Sequence, residues 1–162
     1  MTNASPAIKW PDRFHPDRAP VHVRNDLDMA APPEKIWAAL IDAAAWPDWY
    51  PNARNVRLLS GGGTLAPGAR FAWTTFGATI VSEVAEFVPG ERIAWTGRAF
   101  GIDVYHAWLI RPSARGAHVL TEETQYGALA RFAAALMPGR MSKFHQLWLE
   151  NLEALANAVA RG

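Results

Sequence analysis

From Val21 to Met29 the chain alternates: Val21, Val23, Asn25, Leu27 and Met29 share one phase, and His22, Arg24, Asp26 and Asp28 the other. A period of two predicts a half-buried strand. In "APPEKIWAALIDA" the period changes. Ile36, Trp37, Leu40 and Ile41 form one helical stripe, with prolines near the first helical position and Glu34 in the first turn, as a helix start favours. Pro47 and Pro51 block a long continuation, so "AAAWPDWYPNARNV" predicts a bend or a second short helix.

Between Asn55 and Gln125 the runs "NVRLLS", "ARFAWTTF", "ATIVSEVAEF", "RIAWTGRAF", "IDVYHAWLIR" and "AHVLTEETQ" are separated by glycine and Pro-Gly punctuation. Parallel strands need long crossovers and these connections are short, so the runs predict an antiparallel meander. With the first strand they make about seven. After Gly127 the helical period returns, broken at Pro138-Gly139. Met141, Phe144, Trp148, Leu152, Leu155 and Val159 then recur at threes and fours, the stripe of one long helix. Sheet and helices are segregated along the chain, which predicts an α+β domain over residues 19–162. Residues 1–18, rich in proline, predict an irregular arm that Trp10 and Phe14 pin to the body.

Composition narrows the function. The 162 residues carry sixteen Lys and Arg, scattered among fifteen acids, for a net charge of +1. No basic stripe for nucleic acid is present. Cysteine is absent, which excludes disulfides, thiol nucleophiles and thiolate metal sites. The five histidines, at 15, 22, 106, 118 and 145, show no short metal-binding spacing, so no metal is expected unless a site assembles from distant strands. "GGGTLAPG" lacks the Lys-Ser/Thr of a phosphate loop, and no Gly-x-Ser-x-Gly elbow occurs. No cofactor is expected. The first twenty residues lack the apolar run of a secretory signal, and no window is long enough for a transmembrane segment, so the expected location is cytoplasmic.

The order of elements, with "MAAPPEKIWAALIDAAAWPDWYPNARNVRLL", "SEVAEFVPGERIAWTG" and "WLENLEALANAV", resembles the polyketide cyclase/dehydrase and lipid-transport superfamily over about residues 20–160. Its relatives include plant pathogenesis-related allergens and START-type lipid-transfer proteins. The resemblance implies a helix-grip fold, in which a curved antiparallel sheet of about seven strands wraps around a long C-terminal helix. Two short helices follow the first strand, and an apolar cavity lies between sheet and helix. It does not imply one chemistry, since members bind, carry, cyclise or dehydrate.

In such a fold strand phase decides which side chains meet the cavity. In "IDVYHAWLI" the more apolar phase carries Ile102, Val104, His106, Trp108 and Ile110, which points His106 inward. The family resemblance likewise turns Val119, Thr121, Glu123 and Gln125 inward. His106 and Glu123 are the candidate acid and base, weighed against a histidine satisfied by a neighbouring strand and a carboxylate bridged to an arginine such as Arg131. The candidate cavity residues are Asn25, Trp46, Tyr50, Phe71, Trp73, Trp95, His106, Trp108, Met141, Phe144 and Trp148. At the bend, Trp49 is expected as an anchor and Trp46 or Tyr50 at the cavity mouth. Three functions stay open: a binder of a small hydrophobic molecule of lipid, polyketide or aromatic type; a cofactor-free cyclase or dehydratase; and a co-chaperone-like interaction domain using the outer sheet face. A monomer or homodimer is expected.

Overall fold

The computed structural model describes residues 7–160, with side chains through Ala158. The first six residues of the expected arm, and the side chain of Val159, lie outside the described residues. The elements run β1 (Val21–Met29), α1 (Pro33–Ile41), α2 (Trp46–Trp49), β2 (Arg54–Leu58), β3 (Arg70–Thr75), β4 (Ala78–Val88), β5 (Arg92–Ala99), β6 (Ile102–Ser113), β7 (Gly116–Tyr126), α3 (Ala128–Leu136) and α4 (Arg140–Ala160). The seven strands form one antiparallel, curved sheet in the order β1-β7-β6-β5-β4-β3-β2. The meander and the helix-grip arrangement are as the sequence predicts.

Two of the hairpins turn tightly. Phe76–Gly77 joins β3 to β4 and Phe100–Gly101 joins β5 to β6, with φ of 49° and 81° at the first pair and 49° and 75° at the second. Positive φ at both central residues is the type I′ pattern that suits the strand twist. Glycine adopts it freely, whereas phenylalanine does not. Asn52 fixes one of these tips, its Oδ1 accepting from the Phe76 N–H at 2.9 Å.

Helix α4 lies along one face of the sheet, with α1 and α2 against its C-terminal half. One continuous core forms between them, from Ile36, Leu40 and Trp46 through Phe71, Trp73, Ile93, Trp95 and Trp108 to Trp148, Leu149 and Leu152. The opposite face is partly covered by the arm. Phe14 stacks on Tyr105 at 5.5 Å between ring centroids, Trp10 packs beside it, and an Arg13–Asp103 ion pair ties the segment down. This apolar part of the outer sheet face is therefore covered rather than offered to a partner. No helix among the described residues is long and apolar enough to cross a membrane.

The junction between β7 and α3 depends on a missing side chain. Gly127 has φ of 118°, and a Cβ there would sit 2.3 Å from the Gly101 carbonyl oxygen at the β5–β6 tip. Gly127→Ala is expected to lower the unfolding free energy by about 1–3 kcal/mol, because the strain and the backbone clash have no flexible neighbour to absorb them. Urea unfolding followed by circular dichroism measures this; an unchanged midpoint would contradict the close approach of hairpin and helix.

Candidate functional site

Strand register lays the inward side chains out in rows. Trp95, His106, Glu123 and Val23 are cross-strand partners in one row, and Gly97, Val104, Gln125 and Val21 in the row nearer the β5–β6 tip. Ala99 and Ile102 end the series. Side-chain size thus falls along β5, from Trp95 to Gly97 and Ala99, and on β6 from His106 to Val104. The rings of the first row and beyond fill the space under α4, and the small residues of the next rows leave it open.

What remains open is a cavity of about 420 Å³. Its floor is sheet: Val21, Val23, Ile80, Val104 and Gln125. Its roof is α3 and the start of α4, including Ala130, Ala133, Ala134 and Met141. Phe76, Phe100, Leu129, Met137 and Arg140 complete it. Phe100 is 79% exposed at the rim, and the Arg140 guanidinium lies 5.1 Å from the Phe76 ring centre. A second space of about 40 Å³ adjoins the first, sharing Thr75, Phe76, Ile80, Val104 and Gln125. Its other walls include Tyr50, Trp73, Trp95, Trp148, His106, Glu123 and His145.

These last three titratable groups come from β6, β7 and α4 and are all buried. Glu123 Oε2 lies 3.2 Å from His106 Nδ1 and 3.2 Å from His145 Nε2. The Gln125 amide donates to the other carboxylate oxygen at 2.6 Å. His106 Nε2 meets the Thr121 hydroxyl at 2.7 Å. The two imidazoles are stacked, 4.8 Å between centroids and 12° between planes. Burial alone would raise the Glu123 carboxyl, but the His145 hydrogen bond, the electrostatic pull of both imidazoles and the Gln125 amide outweigh it and hold it at about 2. Burial pushes His106 down to about 3, against the upward pull of Glu123 and with the downward push of His145. A neutral His106 fits its bonds, with Nδ1–H donating to Glu123 and Nε2 accepting from Thr121. The Tyr50 hydroxyl is raised by burial, opposed by its bond from Asn52 and reinforced by Glu123.

Of the candidates from sequence, His106, Glu123, Tyr50, Trp73, Trp95 and Trp148 border the smaller space and Met141 the larger. The structure differs at the others. Trp46, Phe71 and Trp108 border neither space, being packed ring against ring: Trp46 meets Phe71 at 5.8 Å and Trp148 at 5.1 Å, and Trp108 meets Trp148 at 5.1 Å. Asn25 also borders neither; its amide donates to Ser142 and Gln146, joining β1 to α4. Phe144 packs on Phe76 at 5.3 Å, outside the linings. At the bend Trp46 is the fully buried anchor, its Nε1 donating to the Leu40 carbonyl, Tyr50 borders the smaller space, and Trp49 is half-buried and borders neither. The carboxylate bridged to an arginine is Glu122, held by Arg24 and His22 on the other face, and not Glu123.

Sequence reasoning gave no site role to His145, the two tip phenylalanines or the α3 alanines, and turned Gln125 inward without assigning it one. His145 carried one signal: it interrupts the apolar stripe of α4 opposite an inward carboxylate.

A family profile described as polyketide cyclase / dehydrase and lipid transport matches residues 20–157. The chain belongs to that family. Among solved structures, a hypothetical protein of Helicobacter pylori, jhp0584, is 31% identical with a TM-score of 0.87, over 96% of this chain and 99% of its own. A Thermus thermophilus protein matches at 16% identity and TM-score 0.70, covering 86% of this chain and 99% of that one. The fold is shared with Ara h 8.0201, at 15% identity and TM-score 0.63 over 88% of this chain and 99% of that one. A search of curated proteins finds no match. Membership of this family is consistent with hydrophobic-ligand binding.

The tip phenylalanines are placed at a conformational cost next to the cavity. Phe100 buries little, so Phe100→Asn is expected to stabilise the fold by about 1 kcal/mol, asparagine being at ease in the left-handed region. Chemical denaturation tests this; a loss of stability would mean that Phe100 holds the fold rather than the rim.

Proposed function

We propose that the protein binds a small, mainly apolar molecule in the cavity under α3, with one polar end directed at Gln125 and the His106–Glu123–His145 group. The observation that carries this reading is the cavity itself: about 420 Å³, walled mainly by aliphatic, methionine, alanine and phenylalanine side chains, with Thr75, Gln125, Arg140 and Ser142 as its polar lining. That volume lies within the roughly 300–1,000 Å³ of small-molecule sites, which pair an apolar lining with a few convergent polar groups. Burial of apolar surface supplies the affinity, at about 25 cal/mol per Å² removed from water. The single polar end supplies orientation.

The lining favours a lipid-like or polyketide-like ligand of modest size. Phe76 and Phe100 stand at the rim in backbone conformations that phenylalanine avoids, and strain of this kind clusters at ligand clamps. An apolar ligand covering Phe100 offers a compensation that solvent does not.

A second reading, acid–base catalysis of ring closure or water loss, draws on the 3.2 Å contact between His106 and Glu123. Carboxylate and imidazole border the space that a ligand's polar end reaches, which is the placement general acid–base chemistry requires. In that reading Glu123→Gln abolishes turnover of a bound polyketide-type substrate while ligand binding persists; turnover unchanged in this variant rules the reading out.

Binding is tested with a fluorescent apolar probe such as N-phenyl-1-naphthylamine. Wild-type protein is expected to enhance its emission saturably. Ala133→Trp, which fills the cavity from the half-buried roof, is expected to lose that response with circular dichroism unchanged. Probe binding of equal strength in both proteins would place the ligand elsewhere.

A further inference from the structure

Glu123 is 7% exposed, and among the described residues it has no ion pair with lysine or arginine. Its partners are two imidazoles and one amide. A buried charge normally has a compensating charge close by, or coordinates a metal.

The three donor atoms are also close together. His106 Nδ1 and His145 Nε2 each stand 3.2 Å from the same carboxylate oxygen, and the three donors lie within 4.8 Å of one another. Ligands bonded to one ion at about 2.0–2.2 Å are roughly 3–3.5 Å apart at tetrahedral or right angles. The two imidazole–carboxylate spacings match, and the stacked imidazoles would have to turn toward one another to complete the set. The outer bonds are of the kind that orient metal ligands: the Thr121 hydroxyl on the far nitrogen of His106 and the Gln125 amide on the second oxygen of Glu123. A hydroxyl accepts as readily as it donates, so Thr121 can hold His106 in either tautomer.

We propose that His106 Nδ1, His145 Nε2 and Glu123 Oε2 together bind one divalent transition-metal ion, with its remaining coordination positions toward the small space beneath the ligand cavity. Two imidazoles and a carboxylate suit zinc or iron(II), and a site with three protein ligands keeps positions open to a bound molecule. The placement joins the metal to the apolar cavity: a ligand oxygen reaching past Gln125 would arrive at the ion. The inference stands on the donor geometry and does not depend on which ligand the cavity takes.

The test uses full-length protein treated with chelator, titrated with Co(II) and read by visible absorption, and with Zn(II) read by calorimetry. Wild type is expected to take one ion per chain and to gain in melting temperature, since the ion binds the folded state. Glu123→Gln is expected to lose both the stoichiometric uptake and the shift. Thr121→Val, which leaves all three donors in place, is expected to weaken affinity by about 10–100-fold and keeps the test informative if Glu123→Gln fails to fold. His118→Asn controls for the surface histidine that lies between Asp26 and Asp28 and is expected to bind like wild type. The proposal is overturned if wild type takes up no ion, if Glu123→Gln or Thr121→Val binds as wild type does, or if uptake is lost in His118→Asn.

Discussion

The packing of Trp148 fixes where this molecule is solid and where it is hollow. Its ring stacks on Tyr50 at 4.3 Å and meets Trp46, Trp73, Trp95, Trp108 and His106 at centroid distances between 5.1 and 6.4 Å. Each favourable ring pair adds about 0.5–1.5 kcal/mol beyond burial. Against this, the indole N–H groups of Trp108 and Trp148 are buried without a hydrogen-bond partner among the described residues, at about 1–3 kcal/mol each. The ring pairs together outweigh that cost. Helix α4 is thereby clamped to the sheet along its middle and C-terminal half, and its first turns are left to span a gap.

The gap follows from the same rows of side chains. On β5 the inward series runs Ile93, Trp95, Gly97, Ala99, and on β6 Trp108, His106, Val104, Ile102. A helix held at a distance set by tryptophan cannot also touch glycine and alanine. Gly97 has no room to grow toward its own neighbours either, since a Cβ there would meet Ile80 at 2.9 Å. Helix α3 roofs the gap but leaves Phe132 and Leu136 in solvent, at 61% and 62% exposed, so it is held less firmly than the elements it covers. A weakly held roof over an apolar hollow is a route of entry that needs no change in the sheet.

This explains what the sequence could and could not disclose. Period and punctuation were enough for the fold: alternation gave the strands, short glycine turns made them antiparallel, and the threes and fours after Gly139 gave α4. The inward phase of β6 was legible too. Even the meeting of His106 and Glu123 was latent in the sequence. The two-residue turn Ala114–Arg115 pairs Ser113 with Gly116, and counting back along both strands sets His106 opposite Glu123. The cavity lining was misread for a physical reason. Aromatic residues were taken as cavity walls because they offer apolar surface, yet large rings close space, and Trp46, Phe71 and Trp108 do so here. Hollows form where inward residues are small, and the informative letters were Gly97, Ala99, Val104 and the alanines of α3.

His145 shows the limit of reading one segment at a time. On α4 alone it is a polar interruption in an apolar stripe, unremarkable beside Phe144 and Trp148. Its role appears only when the Trp148 clamp sets the rotation of the helix, which turns His145 Nε2 onto Glu123. The contact joins the solid half of the protein to the hollow half. On one side lie the rings that fix the three polar groups in place, and on the other the apolar space under α3. Rigid support is what allows a buried carboxylate and two imidazoles to keep one geometry. The chemistry therefore sits at the boundary that falling side-chain size creates, one row of the sheet before the cavity begins.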